Sequence, residues 1–250
     1  MAYRYSIYHV PKLESKLYKL GASVLGRCIV TGDELAPPPM ELPPNFPEMP
    51  FPPWAGIYGF HATMVAPFRT QDSEEELVQT LKDVSQRHCA IVLESLALKI
   101  MDGGFPALTA LHQPPEALSA LESDLVKTFN RHRLPPTAKE WTHRGPMNFK
   151  EQSNFLNWGY PHIFEDFKFH LTVWDSFEKV TFDNVFLTEE LEKHPWFLGL
   201  SKIFTKKLLL NFPIDSLSLC AQEAVGEPFR VVQEVSLAKS LSHVPLSHVD

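Results

Sequence analysis

The spacing of hydrophobic positions changes along the chain, and each change marks an element. "YRYSIYHV" (3–10) is aromatic and β-branched, as strands are, and Pro11 ends it. Over 12–26, Leu13, Leu17 and Leu20 fall on one helical stripe. A second helix is predicted over 72–88, where Leu77, Leu81 and Val84 share a face and Ser73 and Glu76 form a capping-box pattern. A third covers 114–133, with proline in its first turn and Leu118, Leu121 and Leu125 inward. A polar loop (134–147) leads to a short helix near 149–158. Two or three strands are expected over 90–112, broken by Gly103 and Gly104. Apolar alternation returns at 206–221 and 228–237, after a mixed stretch (186–204).

One segment fits neither period. From Pro37 to Pro53, nine of seventeen residues are proline, so neither a helix nor a central strand persists there. Residues 34–54 are expected to form an extended, semi-rigid loop. Met40, Leu42, Phe46, Met49 and Phe51 within it suit packing against the body of the protein.

Two further apolar runs carry polar groups that a buried strand avoids. "GFHATMVAPF" (59–68) holds His61 and Thr63, and "FKFHLTVWDS" (167–176) holds His170 and Thr172. Each reads Phe-His-x-Thr, and the copies lie 109 positions apart. Motif strands are expected at about 57–66 and 166–174. Strands and helices in this order imply an α+β chain with a plausible internal duplication.

Composition narrows the classes. At 250 residues, 44% hydrophobic and 21% charged, the chain has the balance of a globular protein. A net charge of −7 argues against a broad grip on nucleic acid and favours a small substrate over long RNA. Cys28, Cys89 and Cys220 are odd in number and far apart, which fits neither a disulfide framework nor a structural zinc site. No apolar run approaches the ~20 residues of a membrane span, and the first residues lack a signal-peptide core. The expectation is a cytoplasmic, monomeric protein with no membrane partner.

On a strand, residues i and i+2 share a side. His61 and Thr63 therefore face one way, with Phe60, Ala62 and Met64 opposite. His170 and Thr172 repeat this, with Phe169, Leu171 and Val173 behind. If both strands flank one cleft, two imidazoles and two hydroxyls converge on a site suited to a phosphodiester. One neutral His takes a proton from water, one protonated His gives a proton to the departing oxygen, and the hydroxyls hold non-bridging oxygens. An unperturbed pKa of ~6.5 suits histidine to both tasks. Metal binding is the rival, but the spacing is neither His-x-His nor His-x-x-x-His, and no Asp or Glu joins the motif face.

These motifs resemble the two-histidine (2H) phosphoesterase superfamily, which includes RNA ligase-like cyclic phosphodiesterases. "RYSIYHVP", "LGASVLGRCIVTG", "YGFHATMVAPF", "WGYPHIFEDFKFHLTVWD" and "PFRVV" resemble, in order, a bacterial family associated with phosphonate metabolism and of unknown function. The resemblance implies a bilobal fold, two sheet-plus-helix lobes related by a pseudo-twofold around a central cleft. It places His61, His170, Thr63 and Thr172 as the catalytic set, with His170 the general base and His61 the general acid. It also implies a metal-independent hydrolase without cofactor, acting on a cyclic phosphate or phosphodiester in a small nucleotide- or sugar-phosphate-like substrate. The first motif half would cover about 1–113, the second about 114–240, and 241–250 would fray. Two features depart from relatives: the wholly apolar "MVAPF" after the first motif, and the length of the proline-rich segment.

Secondary candidates for substrate binding are Arg4 and Tyr5 on the first strand, Tyr58 before the first motif, and Lys139 and Arg144 in the polar loop. Trp158 and Tyr160 in "NWGYPH" join them as stacking platforms. The alternative to an enzyme is a binding module that holds a nucleotide or phosphate in the same cleft.

Overall fold

The computed structural model describes residues 3–44, 54–176 and 188–239. Its elements in chain order are β1 (Arg4–His9), α1 (Lys16–Leu25), α2 (Ala55–Tyr58), β2 (Ala62–Phe68), α3 (Glu74–Ser85), β3 (Ile91–Ile100), β4 (Pro106–Ala110) and α4 (Glu116–Phe129). Then follow α5 (Ala138–His143), α6 (Phe149–Trp158), β5 (His170–Thr172), α7 (Thr188–Leu191), α8 (Pro195–Ile203), β6 (Leu210–Ile214), β7 (Ser216–Gln222) and β8 (Arg230–Ser236). Every strand pairing is antiparallel, in keeping with an α+β chain.

The strands form one eight-stranded sheet in the order β6-β3-β4-β5-β2-β1-β7-β8. The motif strands β5 and β2 are neighbours at its centre, and three strands extend outward from each. These wings do not correspond to the two halves of the chain. The β3–β4 hairpin, from the first half, flanks the second motif strand, while the β7–β8 hairpin, from the second half, joins the first motif's wing through β1. A boundary near residue 113 therefore does not divide the sheet. Periodicity reports which face of a strand is buried and says nothing of its partner.

α4 packs on β2, and α3 packs on β7 and β8. Leu77, Leu81 and Val84 of α3 and Leu118, Leu121 and Leu125 of α4 are buried, as their spacing predicts. Each such side chain contributes roughly 1.5–3 kcal/mol by leaving water.

Local chemistry trims several predicted elements. Ser15 caps α1 by accepting the Tyr18 N–H, so the helix starts after Leu13, which stays exposed. The predicted first motif strand begins instead with α2, which ends at Gly59. The polar loop 134–147 contains α5, started by a reciprocal capping box between Thr137 and Glu140. The second motif strand is the three residues His170–Thr172, and a 3₁₀ turn at Phe164–Asp166 precedes it.

Residues 35–44 of the proline-rich segment form no helix or strand. Met40 and Leu42 lie against Gly199 of α8, and Glu41 pairs with Lys202 at 2.8 Å. Phe46, Met49 and Phe51 lie outside the described residues, as does the expected frayed tail 241–250. Among the described residues no helix is long and apolar enough to cross a membrane. All three cysteines are free thiols.

Candidate active site

Ala62 of β2 and Leu171 of β5 are backbone partners at the centre of the sheet, and both are fully buried. Counting one residue each way from this antiparallel pair sets His61 opposite Thr172 and Thr63 opposite His170. By alternation these four residues share the face opposite Ala62 and Leu171.

Gly59 positions His61. Its φ of +72° suits glycine, and a Cβ there would come within 2.7 Å of Ile29 Cβ. Its carbonyl accepts a hydrogen bond from His61 Nδ1 at 2.8 Å. A carbonyl only accepts, so Nδ1 carries the hydrogen and Nε2 of the neutral ring is a lone pair. Thr63 Oγ1 donates to that nitrogen at 3.0 Å. Tyr8 of β1 stacks on the ring, centroids 3.6 Å apart. The second motif repeats the device: His170 Nδ1 donates to the Lys168 carbonyl at 2.7 Å, again two residues upstream, leaving Nε2 free of its hydrogen. Phe105 stands beside that ring, centroids 5.8 Å apart.

Burial pushes the His61 imidazole down to about 4, and positive charge on His170 pushes the same way. Burial also lowers His170, with the charge of His162 adding to the fall. The coupling places the two histidines within electrostatic reach of one another.

An open cleft of about 270 Å³ lies at this site. Thr63 and His170 line it, while His61 stands beside Thr63, hydrogen-bonded to its hydroxyl. Thr172 is half-buried opposite Ala107 of β4 and is not among the lining residues. Ala62↔Leu171 is the one β2–β5 register pair among the described residues, and β5 is three residues long. The gap between β2 and residues 160–168 opens the cleft inward past Met64 and Ala66 to Glu122 of α4.

The secondary candidates divide. Tyr160 lines the cleft, and the Arg144 guanidinium lies over its ring at 4.8 Å. The others lie away from the cleft wall. Tyr5 is buried in the core, its hydroxyl donating to Glu74 at 3.4 Å. Arg4 bonds Gln222 and the Tyr58 hydroxyl and lies over Phe229. Trp158 packs edge-on against Phe164, and Lys139 is exposed on α5. Short-range patterns cannot place a strand-end arginine or a helix-end tryptophan relative to a cleft formed by distant segments.

Several lining residues escaped the sequence reading. Lys168 stands two before His170 and so shares its side of the strand, a detectable signal; its amine pairs with Asp102 at 2.6 Å. Glu122 interrupts the apolar stripe Leu118–Leu121–Leu125, and a carboxylate there was a second signal. Phe105, Phe167 and His162 carried none. Among the described residues no three His, Cys, Asp or Glu side chains come together as a metal-ligand set.

Two curated relatives align along nearly the whole chain. One, from Janthinobacterium sp. (strain Marseille), is named ribose 1,5-bisphosphate phosphokinase PhnN; it is 27% identical over 98% of this chain and 53% of its own. The other, of the same name from Laribacter hongkongensis (strain HLHK9), is 25% identical over 94% of this chain and 52% of its own. The chain thus spans about half the length of the curated relatives it matches. Among solved structures, E. coli LigT complexed with 3'-AMP aligns over 96% of this chain and all of its own, at 11% identity and a TM-score of 0.45. A crystal structure described as a phosphoesterase aligns over the same shares at 13% and 0.43. A family model described as "Protein of unknown function (DUF1045)" matches residues 63–230, about two thirds of the chain, and the protein belongs to that family.

Proposed function

We propose that the protein is a paired-histidine phosphoesterase that hydrolyses a cyclic phosphate or phosphodiester in a small phosphorylated substrate, without a metal. The observation that carries this reading is the repeated tautomer lock. His61 and His170 each donate Nδ1–H to the carbonyl two residues upstream, which makes Nε2 the proton-transfer nitrogen of both rings on one face of the sheet, that of His61 accepting the Thr63 hydroxyl in the free protein. Water attacks phosphorus as one Nε2 takes its proton, and the bond to the leaving oxygen breaks as the other Nε2–H supplies a proton. On binding, the Thr63 hydroxyl turns from His61 Nε2 to a non-bridging oxygen, and Thr172 supplies a second hydroxyl.

The family resemblance assigns His170 as base and His61 as acid. The electrostatics of the free protein favour the reverse. His61 is the more enclosed ring and is further depressed by charge on His170, so the first proton goes to His170. We therefore assign His170 as the acid and His61 as the base.

The names of the two relatives favour a phosphorylated ribose over a nucleotide. A cyclic phosphate on phosphoribose opens with water to a ribose bisphosphate, the class of compound in those names. A link to phosphonate metabolism rests on the family resemblance.

The test is a screen of the purified protein, without added metal, against cyclic ribose phosphates, cyclic nucleotides and linear dinucleotides. The expected result is turnover of a cyclic phosphate that resists chelators and falls about 10²–10⁴-fold in His61→Ala and His170→Ala. Activity abolished by chelation, or indifferent to both substitutions, overturns the proposal. Tight binding without product would identify a binding module instead.

A further inference from the structure

The inner end of the cleft holds a carboxylate that the paired-histidine chemistry does not use. Glu122 is 1% exposed, on the buried stripe of α4, and it lines the cleft. Its two oxygens share one donor, the Phe164 N–H, at 3.3 Å from each. A carboxylate accepts about four hydrogen bonds, so most of its capacity is unused. Burial pushes this group up to about 7, which reflects the cost of a charge with so little compensation.

The two ends of the cleft differ chemically. Thr63 and His170 stand at the outer end, with His61 behind Thr63. The inner end holds the Glu122 carboxyl, and once that group is ionised a phosphate there would face an anion. A substrate with a phosphate at one end and hydrogen-bond donors at the other has a single favourable orientation.

We propose that Glu122 is a specificity residue whose free oxygens accept hydroxyl hydrogens from the sugar of a substrate whose phosphate lies against His170 and Thr63. The assignment rests on the phosphoesterase reading for the position of the phosphate. Met64, Phe105 and Phe167 also line the cleft and offer apolar surfaces to the sugar's faces.

Calorimetric titration of the full chain at pH 8, where the carboxyl is ionised, tests this with two non-reacting monoesters. Ribose 5-phosphate carries the hydroxyls, and methyl phosphate has the same charge without them. The wild type should bind ribose 5-phosphate at least ~10-fold tighter, the scale of one hydrogen bond to a charged group. Glu122→Gln keeps an acceptor for Phe164 N–H, replaces the other oxygen with an NH₂ and removes the charge that strengthens the hydroxyl hydrogen bonds. It should reduce the preference to within about two-fold, with methyl phosphate affinity unchanged. A preference retained in Glu122→Gln, an equal loss for both ligands, or no preference or no binding in the wild type would each overturn the proposal. The histidine reading fails by a separate sign: His170→Ala leaving both affinities unaltered.

Discussion

Tyr8 lies flat against the imidazole of His61, with ring centroids 3.6 Å apart and planes 25° from parallel. The Tyr8 hydroxyl is buried without a hydrogen-bond partner, so its contribution here is the ring. Tyr8→Phe should change stability by less than about 1 kcal/mol, because it removes only an unsatisfied polar group. Tyr8→Ala should cost about 3–5 kcal/mol by opening a cavity beside the histidine. It should also raise the His61 pKa, since water then reaches the ring. Urea unfolding and NMR titration of the imidazole check the two effects.

Stability should fall with acidification through a defined window. A histidine whose pKa is lower folded than unfolded binds its proton more readily in the unfolded chain. Its contribution is complete above its ordinary value of 6.5 and is lost as pH falls toward about 4. For His61 the difference corresponds to about 3 kcal/mol. Burial lowers His170 and His9 as well, so they act in the same sense. Unfolding midpoints measured from pH 7 to pH 4 should drop more steeply in the wild type than in His61→Gln; parallel curves would refute the assignment.

The proton roles separate on leaving-group chemistry. A nitrophenyl ester needs little protonation of its departing oxygen, so the variant lacking the acid should recover on it and the variant lacking the base should not. With His170 as acid, His170→Ala recovers much of its rate and His61→Ala stays about 10²–10⁴-fold down. The opposite pattern restores the roles implied by the family resemblance.

Gly21 of α1 is held small by the residue before the first motif histidine. A Cβ at Gly21 would come within 2.5 Å of the Phe60 ring. In an open helix, Gly→Ala stabilises by about 1 kcal/mol. Here overpacking, typically about 1–3 kcal/mol, should outweigh that gain and make Gly21→Ala less stable in urea.

Asp175, three residues after Thr172, ties the second motif to the approach of the first. Its carboxylate accepts the N–H groups of Ala55 at 2.7 Å and Trp54 at 3.0 Å, at the start of α2. Asp175→Ala should cost about 1–2 kcal/mol, as loss of a helix cap does. Asp175→Asn, which keeps one acceptor, should cost less. Equal stability of all three proteins would show that the link contributes nothing.

The chain by itself determined the helical stripes of α3 and α4, the two Phe-His-x-Thr copies, and the shared face of each His and Thr. These rest on spacing alone, because side-chain direction repeats every 3.6 or 2 residues. Capping chemistry was legible too: the Ser73–Glu76 box starts α3 where expected, and the same pattern at Thr137–Glu140 was present but unread. Only the tertiary structure decided that β2 and β5 are neighbours, that each motif's wing of the sheet includes a hairpin from the other half of the chain, and that the cleft beside them reaches Glu122. It also decided which aromatics matter, setting Tyr8 on His61 and Phe105 beside His170 while placing Tyr5 in the core. Strand partners and cleft walls join residues far apart in sequence. They are selected by how buried faces and turns fit together in space, and no local period records that fit.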